Sequence, residues 1–455
     1  MNKVKERLVV VGGSAGGPSA AAKASRVNPD LEIIMYEQGP FVSYGAWETP
    51  YYIGDVVKEQ RKLIARTPEQ FKAQNVDVRL FHKVTQIDPE NKKIEVFNIK
   101  ESKSEWIHYD KLVVATGARS RKFNAPGNDA KNIFSLKDLK DGITIKDYID
   151  KTNPKKGVII GAGLIGLEMS EAFRDRGIET YLISLYNLPV ASILEPEIAQ
   201  KVLNEIEEKG VKFIPNAKTE AFKVSQDGLA LGVETNQGEF DADIVLTSIG
   251  VIPNVELAKN AGIKLGDTGA IHTDMAQRTN IDDIFAAGDC CEVFNLVSQS
   301  YVFTPLGDIA NKQGRTAGEN AAGGHALFYG VVGSSAFKVF DLEVAFTGLN
   351  ERMAKAAGFD VGTHFIRAES KVGYMPGSQR MMIKYIFDKK SSRLLGAQMV
   401  GKEGVARRIN TLAAALHFKA TLDDISRFDL AYAPPFSAPY DPVLIAAEQS
   451  MKKMG

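Results

Sequence analysis

The chain has 455 residues, which is more than one hydrophobic core normally supports, so we expect two or three domains. Its 56 basic residues balance 56 acidic residues, which excludes a bulk electrostatic attraction to nucleic acid or to an anionic membrane. The longest apolar runs have the length of a strand and no signal-like stretch opens the chain, so we expect a cytoplasmic protein without membrane insertion.

Residues 8–37 predict a dinucleotide-binding unit of strand, turn, helix and strand. An apolar strand leads into a glycine-rich turn, a helix rich in alanine and serine follows, and the next strand ends on Glu37. Gly12 permits the tight turn, Gly17 lets the helix lie close to the strand, and the helix N-terminus can bind a pyrophosphate. Ser14 stands where the middle glycine of the fingerprint usually lies. The residues predicted to bind the dinucleotide are Gly12, Ala15, Gly17 and Glu37.

An aromatic segment, residues 39–55, follows and is expected to pass over whatever the first turn binds. Its residues 43–44 (Ser-Tyr) and 50–54 (Pro-Tyr-Tyr-Ile-Gly) resemble the active-site segment of the coenzyme A disulfide reductase and NADH oxidase/peroxidase group of flavin disulfide oxidoreductases. In that group a redox cysteine falls four residues after the serine, and here that position holds Trp47. The resemblance covers nearly the whole chain, and it implies that Ser43 helps to bind flavin and that Trp47 lies in the active site.

The motifs that follow continue the order of that family. Val84 lies where a backbone contact to adenine is expected, and a strand then ends in the turn Ala115-Thr116-Gly117. Small residues in such a turn let the backbone approach a nucleotide closely. The resemblance implies that Val84, Ala115, Thr116 and Gly117 bind FAD.

A second glycine-rich turn, residues 161–166, carries all three glycines of the fingerprint at the start of a helix. The resemblance implies that the first turn binds FAD and the second binds NADH or NADPH. The next strand ends on Ser184, where an NAD-preferring site usually places an acid, and no partner for a 2′-phosphate is evident, so both nucleotides stay possible. By resemblance Glu168 faces the nicotinamide, with a solvated helix residue as the alternative. The residues predicted to bind this nucleotide are Gly161, Gly163, Ile165, Gly166, Ser184 and Gly250.

Asp289 follows a short apolar strand. The resemblance implies that it accepts a hydrogen bond from a ribityl hydroxyl of FAD, and that Pro305 and Leu306 lie near the pyrimidine end of the flavin. The only cysteines, Cys290 and Cys291, come directly after Asp289 and lack metal-ligand spacing, so no metal site is predicted. We expect both cysteines to be small buried side chains at the start of a helix rather than a redox pair.

From residue 328 onward no nucleotide motif occurs. The predicted elements are a strand at 339–349, a hairpin of 381–388 with 394–401, and helices at 405–417 and 421–426. The resemblance implies an interface domain that forms a homodimer, in which Tyr374 and Tyr432 reach the active site of the partner. Packing within the interface is the alternative role for each tyrosine.

The predicted fold class is therefore α/β, with two Rossmann-like nucleotide-binding domains for FAD and NAD(P) and a C-terminal α+β dimerisation domain, as in glutathione reductase. The predicted boundaries are 1–119 and 249–327 for the two parts of the FAD-binding domain, 120–248 for the NAD(P)-binding domain and 328–455 for the dimerisation domain.

Coenzyme A is a possible further ligand. Residues 19–26 resemble the helix that carries basic residues for the nucleotide phosphates in the coenzyme A group. Of the usual two arginines, the second is present as Arg26 and the first is replaced by Ser25. A solvated helix face explains Lys23 and Arg26 equally well.

Trp47 decides between the functional hypotheses. A thiolate beside the flavin passes electrons on by thiol–disulfide exchange, whereas an indole can only stack on or beside the flavin and exclude water. The leading hypothesis is an FAD-dependent NAD(P)H oxidoreductase whose reduced flavin gives electrons directly to a ferredoxin-like protein, a quinone, a metal complex or dioxygen. One alternative is an enzyme of the coenzyme A disulfide/persulfide reductase or NADH oxidase type. The other is a non-catalytic flavoprotein sensor, against which the complete second glycine turn argues.

Overall fold

The structure, a computed structural model, describes residues 5–453. Residues 1–4 and 454–455, which form the predicted ends of the first and the last domain, lie outside this range. The first part of the chain contains β1 (Arg7–Val11), α1 (Gly16–Val27), β2 (Glu32–Glu37), α2 (Thr49–Ile53), a short 3-10 helix (Gln60–Leu63), α3 (Pro68–Lys72), β3 (Val76–Leu80), β4 (His82–Asp88), β5 (Lys93–Asn98), β6 (Lys103–His108), β7 (Lys111–Val114) and β8 (Ala118–Ser120).

The middle of the chain contains β9 (Ile133–Ser135), α4 (Leu139–Thr152), β10 (Lys156–Ile160), α5 (Leu164–Asp175), β11 (Glu179–Ile183), α6 (Pro196–Glu208), β12 (Lys212–Ile214), β13 (Thr219–Val224), β14 (Ala230–Thr235), β15 (Gly238–Asp241), β16 (Ile244–Thr247), β17 (Val251–Pro253), α7 (Glu256–Asn260), β18 (Ile284–Ala286), β19 (Val293–Asn295), β20 (Ser300–Val302) and α8 (Gly307–Ala321). The last part contains β21 (Ser335–Val339), β22 (Leu342–Gly348), α9 (Glu351–Ala356), β23 (Val361–Glu369), β24 (Arg380–Asp388), β25 (Leu394–Gly401), α10 (Val405–His417), α11 (Leu422–Ser426) and α12 (Pro442–Met451).

The first parallel sheet has the strand order β18-β7-β1-β2-β3. Its central strand β1 is an apolar run that is buried on both faces, which suits a parallel sheet covered by helices. The helices α1 and α8 pack closely, because a side chain on Gly318 would lie only 2.1 Å from the backbone oxygen of Ala20. Since β18 comes from residues 284–286, the chain leaves this sheet and later returns to it.

The second parallel sheet, β12-β11-β10-β16-β9, repeats the same construction. Here β10 is the central strand, α5 leaves it, and β11 and β16 take the places that β2 and β7 have in the first sheet. Each unit also carries a three-stranded antiparallel sheet, β4-β5-β6 in the first and β13-β14-β15 in the second. The predicted pair of Rossmann-like units is therefore present.

The last unit is a five-stranded antiparallel sheet, β21-β22-β25-β24-β23, against which α10 and α12 pack. The predicted hairpin and the two predicted helices correspond to β24 with β25, α10 and α11. The strand predicted at 339–349 corresponds to β22, but its predicted beginning is wrong, because Phe340 adopts a left-handed backbone (φ 50°) and the chain turns there between β21 and β22. Helix α12 was missed, since its mostly apolar residues show no helical alternation of apolar and polar positions. Within residues 5–453, no helix combines the length and the apolarity that crossing a membrane requires.

In both parallel sheets, a glycine near the start of the helix packs against the turn that follows the central strand. Gly12 and Gly161 adopt backbone φ values of 112° and 107°, a conformation that is unfavourable for residues with a side chain. A side chain on Gly17 would lie 1.9 Å from the backbone oxygen of Gly12, and one on Gly166 would lie 2.0 Å from that of Gly161. The helices therefore rest on the turns only because these residues have no Cβ.

We predict that Gly17→Leu abolishes flavin retention and destabilises the fold, because the leucine pushes α1 away from β1. Overpacking of this kind typically costs about 1–3 kcal/mol. The matched control is Gly163→Ala, whose Cβ would meet no atom within 4 Å and should leave the melting temperature unchanged. The ratio of flavin to protein absorbance and the melting temperature measure both effects, and full flavin occupancy in Gly17→Leu would contradict the assignment.

Candidate functional site

The first glycine turn, residues 12–17, is tied to the strand ends beside it. A side chain on Gly12 would lie 2.1 Å from the backbone oxygen of Ala115, so the two strand ends touch through their backbones. The carboxylate of Glu37 accepts hydrogen bonds from the backbone N–H of Gly13 and from that of Gly39, each at 2.6 Å. Burial raises the pKa of Glu37. These bonds join the end of β2 to both the turn and the aromatic segment.

A single cleft of about 3200 Å³ runs past both glycine turns. Typical small-ligand sites have volumes of roughly 300–1000 Å³, so this cleft has room for more than one nucleotide. The predicted site residues that line it are Gly12, Ala15, Glu37, Trp47, Val84, Ala115, Thr116, Gly117, Gly161, Gly163, Ile165, Ser184, Gly250, Asp289, Pro305 and Leu306. The predicted site residues that do not line it are Gly17, Ser43, Gly166, Glu168 and Tyr432.

Ser43 acts on the aromatic segment through its backbone. Its N–H donates to the backbone oxygen of Gly13 at 2.7 Å, and its own oxygen accepts from the N–H of Ala65 at 2.7 Å. The residue adopts a left-handed backbone with φ 51°. In the structure Ser43 therefore anchors the segment to the first turn, while its neighbour Tyr44 lines the cleft.

The second glycine turn, residues 161–166, opens to the same cleft. Ser248 donates its hydroxyl to the backbone oxygen of Gly161 at 2.7 Å and so braces the turn. A Cβ on Gly163 would meet nothing within 4 Å, so the start of α5 faces open space. At the end of β11 the buried hydroxyl of Ser184 accepts from the backbone N–H of Tyr186 at 3.0 Å, and the strand ends without a carboxylate.

Asp289 forms an ion pair across the cleft wall. Its carboxylate accepts from the ammonium group of Lys137 at 2.9 Å, and both residues line the cleft. The remaining N–H groups of Lys137 can donate to a ligand. Sequence reasoning missed Lys137, because it lies 152 residues before its partner and in no recognised motif.

Trp47 and Glu168 are joined directly. The indole Nε1–H donates to the Oε1 atom of Glu168 at 2.8 Å. The indole lines the cleft, whereas Glu168 lies behind it and is only 4 % exposed. Burial raises the pKa of Glu168 to about 7, although the indole hydrogen bond acts in the opposite direction. The indole of Trp47 is thus held in the cleft wall by a hydrogen bond to a buried carboxyl group.

The two cysteines lie away from the cleft. Cys290 and Cys291 are fully buried or nearly so, their sulfurs are 3.8 Å apart, and neither lines the cleft. Burial raises the pKa of the Cys291 thiol. The expectation that they begin a helix is wrong, because the N–H of Cys291 closes a turn onto the oxygen of Gly288 and β19 follows. Their burial agrees with the prediction.

The two predicted interface tyrosines are exposed in the single chain. Tyr374 is 78 % exposed and Tyr432 is 47 % exposed, and neither reaches the cleft. A contact of either tyrosine with a cleft therefore requires another copy of the chain.

The helix considered for coenzyme A has few free cationic groups. Lys23 forms an ion pair with Glu319 at 2.8 Å, and the Ser25 hydroxyl donates to the backbone oxygen of Gln74 at 2.5 Å. Of the two cationic side chains on α1, Arg26 is the exposed one. Within residues 5–453, no group of three or more His, Cys, Asp or Glu residues is placed to hold a metal ion.

The site fits two dinucleotides. Both glycine turns line one large cleft, and helix N-termini bind pyrophosphate through their backbone N–H groups. A nucleotide at the first turn would lie beside Glu37, Asp289 and residues 115–117, and one at the second turn beside Gly163 and Ser184.

Comparison with known proteins agrees with this geometry. The chain matches the family model of pyridine nucleotide-disulphide oxidoreductases over residues 6–302, and the dimerisation domain of the same family over residues 334–441. It is 32 % identical over 449 residues to an NADH oxidase of Methanocaldococcus jannaschii, which covers 98 % of this chain and 99 % of that protein. It is 35 % identical over 452 residues to the NAD(P)H sulfur oxidoreductase (CoA-dependent) of Pyrococcus furiosus, which covers 97 % of this chain and 98 % of that protein.

A solved structure shows the same architecture. The NAD-dependent persulfide reductase from A. fulgidus superposes with a TM-score of 0.95 at 38 % identity, covering 98 % of this chain and 83 % of that one. The chain therefore belongs to the pyridine nucleotide-disulphide oxidoreductase family, carries the dimerisation domain of that family, and is an FAD-dependent NAD(P)H oxidoreductase.

Proposed function

We propose that this oxidoreductase passes electrons from reduced flavin directly to an acceptor, without a thiol of its own. The acceptor classes are a ferredoxin-like protein, a quinone, a metal complex or dioxygen. The observation that carries the proposal is the indole of Trp47, which lines the cleft with its N–H bonded to Glu168.

The chemistry of sulfur supports this choice. Thiol–disulfide exchange requires a thiolate that can reach its substrate, and an indole cannot form a mixed disulfide. The chain has two cysteines in all, and both are buried away from the cleft. Bound flavin supplies the remaining chemistry, because it takes up a hydride and can release electrons singly. A protein thiol is then unnecessary for any of the four acceptor classes.

The residues that line the cleft have proposed roles within this function. Gly12, Ala15 and residues 115–117 would hold FAD, with Glu37 and Asp289 beside its ribose and ribityl hydroxyls. Gly161, Gly163 and Ser184 would hold the nicotinamide nucleotide. We keep the predicted domain boundaries, with 1–119 and 249–327 for FAD, 120–248 for NAD(P) and 328–455 for dimerisation, as part of this proposal.

A second candidate is sulfur chemistry in which the substrate brings all the sulfur, for example a coenzyme A persulfide. The names of the relatives favour it, since one is a CoA-dependent sulfur oxidoreductase and another a persulfide reductase. The ion pair of Lys23 with Glu319 and the bond from Ser25 to Gln74 weigh against it, because they occupy side chains on the helix that would meet the coenzyme phosphates.

We predict that the purified enzyme, with NADH or NADPH as donor, turns over at least one non-disulfide acceptor in a panel of ferredoxin, quinone, ferricyanide, dioxygen and coenzyme A disulfide. The same turnover is expected in the double variant Cys290→Ala, Cys291→Ala, because neither sulfur reaches the cleft. The flavin content and melting temperature of this variant serve as the folding control. Activity with coenzyme A disulfide alone, or loss of turnover in a folded double variant, would contradict the proposal.

We also propose that the active unit is a homodimer in which each partner supplies Tyr374 and Tyr432 to the other cleft. The matched dimerisation domain and the exposure of both tyrosines support this proposal.

We predict that mixing two inactive variants, Gly17→Leu and Tyr432→Ala, restores part of the activity. In a mixed dimer, one cleft combines an intact first turn with an intact Tyr432 from the partner. Steady-state turnover before and after subunit exchange measures the effect, and mass spectrometry of differently tagged chains verifies that exchange has taken place. Verified exchange with no recovered turnover would count against shared sites.

A further inference from the structure

The hydrogen bond between Trp47 and Glu168 joins two units that are far apart in sequence. Trp47 belongs to the aromatic segment that follows β2 of the first parallel sheet, and Glu168 lies on α5, the helix of the second glycine turn. The two residues are 121 positions apart. Because the indole lines the cleft, this bond connects the cleft wall to the nicotinamide-binding unit.

The carboxyl group of Glu168 is only half satisfied. Its Oε1 atom accepts from the indole, whereas its buried Oε2 atom has no hydrogen-bond partner in the part of the chain that the structure describes. An ionised carboxylate with an unpartnered oxygen is costly to bury, while a protonated one carries no net charge. The surroundings of Glu168 therefore disfavour its ionised form.

The groups that face Glu168 make its ionised form less favourable. The carboxylates of Glu48 and Glu171 lie close enough to raise its pKa, and both also raise the pKa of Tyr51 on α2. Glu171 is itself paired with Lys338 on β21. None of the ion pairs formed by residues 5–453 includes Glu168.

We propose that Trp47 is a positioning residue for Glu168, and that the pair forms a proton-dependent latch between the cleft wall and α5. When Glu168 is ionised, the indole N–H donates to a charged oxygen and is held firmly. When Glu168 takes up a proton from solvent, the bond becomes a neutral one and the indole is held less firmly. Charge-assisted hydrogen bonds are roughly twice as strong as neutral ones, so one proton changes how tightly the wall is fixed.

The pH range in which the latch changes state follows from the burial of Glu168. The pKa of Glu168 is raised from 4.5 to about 7, so the latch changes state near neutral pH. A raised acid pKa also means that this group stabilises the fold fully below about pH 4.5, and that the contribution is lost as the pH rises through about 7. The indole bond partly offsets that loss, because donation to the ionised form lowers the pKa.

The catalytic consequence rests on the proposed function. By the resemblance, Trp47 stands in the place of the family's redox cysteine on its side of the cleft. If electrons leave the flavin directly, no thiol acts on that side. The latch then makes the shape of that wall depend on one proton on the nicotinamide side. The existence of the latch can be tested without any acceptor, so its failure is distinguishable from failure of the proposed function.

The chain offers a direct spectroscopic test, because Trp47 and Trp106 are its only tryptophans. Selective ¹⁵N labelling of tryptophan gives two indole N–H signals, and Trp106→Phe assigns them. In the holoprotein we expect the Trp47 signal to shift with a single midpoint near pH 7, while the signal of Trp106, which is 45 % exposed, does not follow this titration. A Trp47 signal that does not titrate would overturn the proposal even if no variant folds.

Two variants separate Glu168 from its acidic neighbour. Glu168→Gln keeps an oxygen that can accept from the indole and cannot ionise, so the Trp47 titration should vanish. Glu48→Gln is the matched control, because it removes an exposed neighbouring acid and should keep the titration with a slightly lower midpoint. An unchanged Trp47 titration in Glu168→Gln would assign it to another group and refute the latch.

The positioning role of the indole has its own readout. Trp47→Phe keeps an aromatic ring and removes the N–H donor, so the pKa of Glu168 should rise. The rate of flavin reduction by NADPH or NADH, followed by stopped flow over pH, should then change at a higher pH than in the wild type. The same change should be absent in Glu168→Gln. A Trp47→Phe profile that coincides with the wild-type profile would show that the indole does not position Glu168.

Discussion

The site depends on two contacts between a helix and its own turn. Gly17 lies against the backbone of Gly12, and Gly166 lies against the backbone of Gly161, with no space for a Cβ at either contact. These contacts fix the N-termini of α1 and α5, and therefore decide where a pyrophosphate can bind. Because the chain builds this unit twice and returns to the first sheet through β18, both helix N-termini face a single cleft. Because both nucleotides would share that cleft, electrons can pass from one nucleotide to the other.

The parts of this arrangement with a local sequence signal could be predicted. Each glycine turn can be predicted from one continuous segment, because tight turns and close helix contacts require glycine at fixed spacing. The hairpin of β24 and β25 likewise follows from neighbouring apolar runs. The turn at Phe340 could not be predicted in this way, because it interrupts an alternating pattern with a single left-handed residue. The turn at Cys290 and Cys291 closes through a backbone hydrogen bond from the N–H of Cys291 to the oxygen of Gly288, which does not depend on the cysteine side chains.

Side-chain pairs distant in sequence were beyond the reach of the sequence alone. The resemblance predicts Trp47 in the place of a redox cysteine, but nothing in its own segment identifies Glu168 as its partner. The ion pair of Lys137 with Asp289 has the same character, since the two side chains meet only after both sheets have formed. These pairs alter the chemistry of the cleft wall without altering the fold. The match to an NADH oxidase and to a persulfide reductase over nearly the full length of the chain identifies the fold, whereas these side-chain contacts are visible only in the structure.

In the proposed function, electrons leave the flavin without passing through a protein thiol. Anaerobic titration of the holoenzyme with dithionite, followed by absorbance, tests it most directly. We expect complete flavin reduction by one electron pair per FAD, with no long-wavelength charge-transfer band between a thiolate and oxidised flavin. Uptake of a second electron pair, lost when both Cys290 and Cys291 are replaced by alanine, would contradict it and restore a dithiol mechanism.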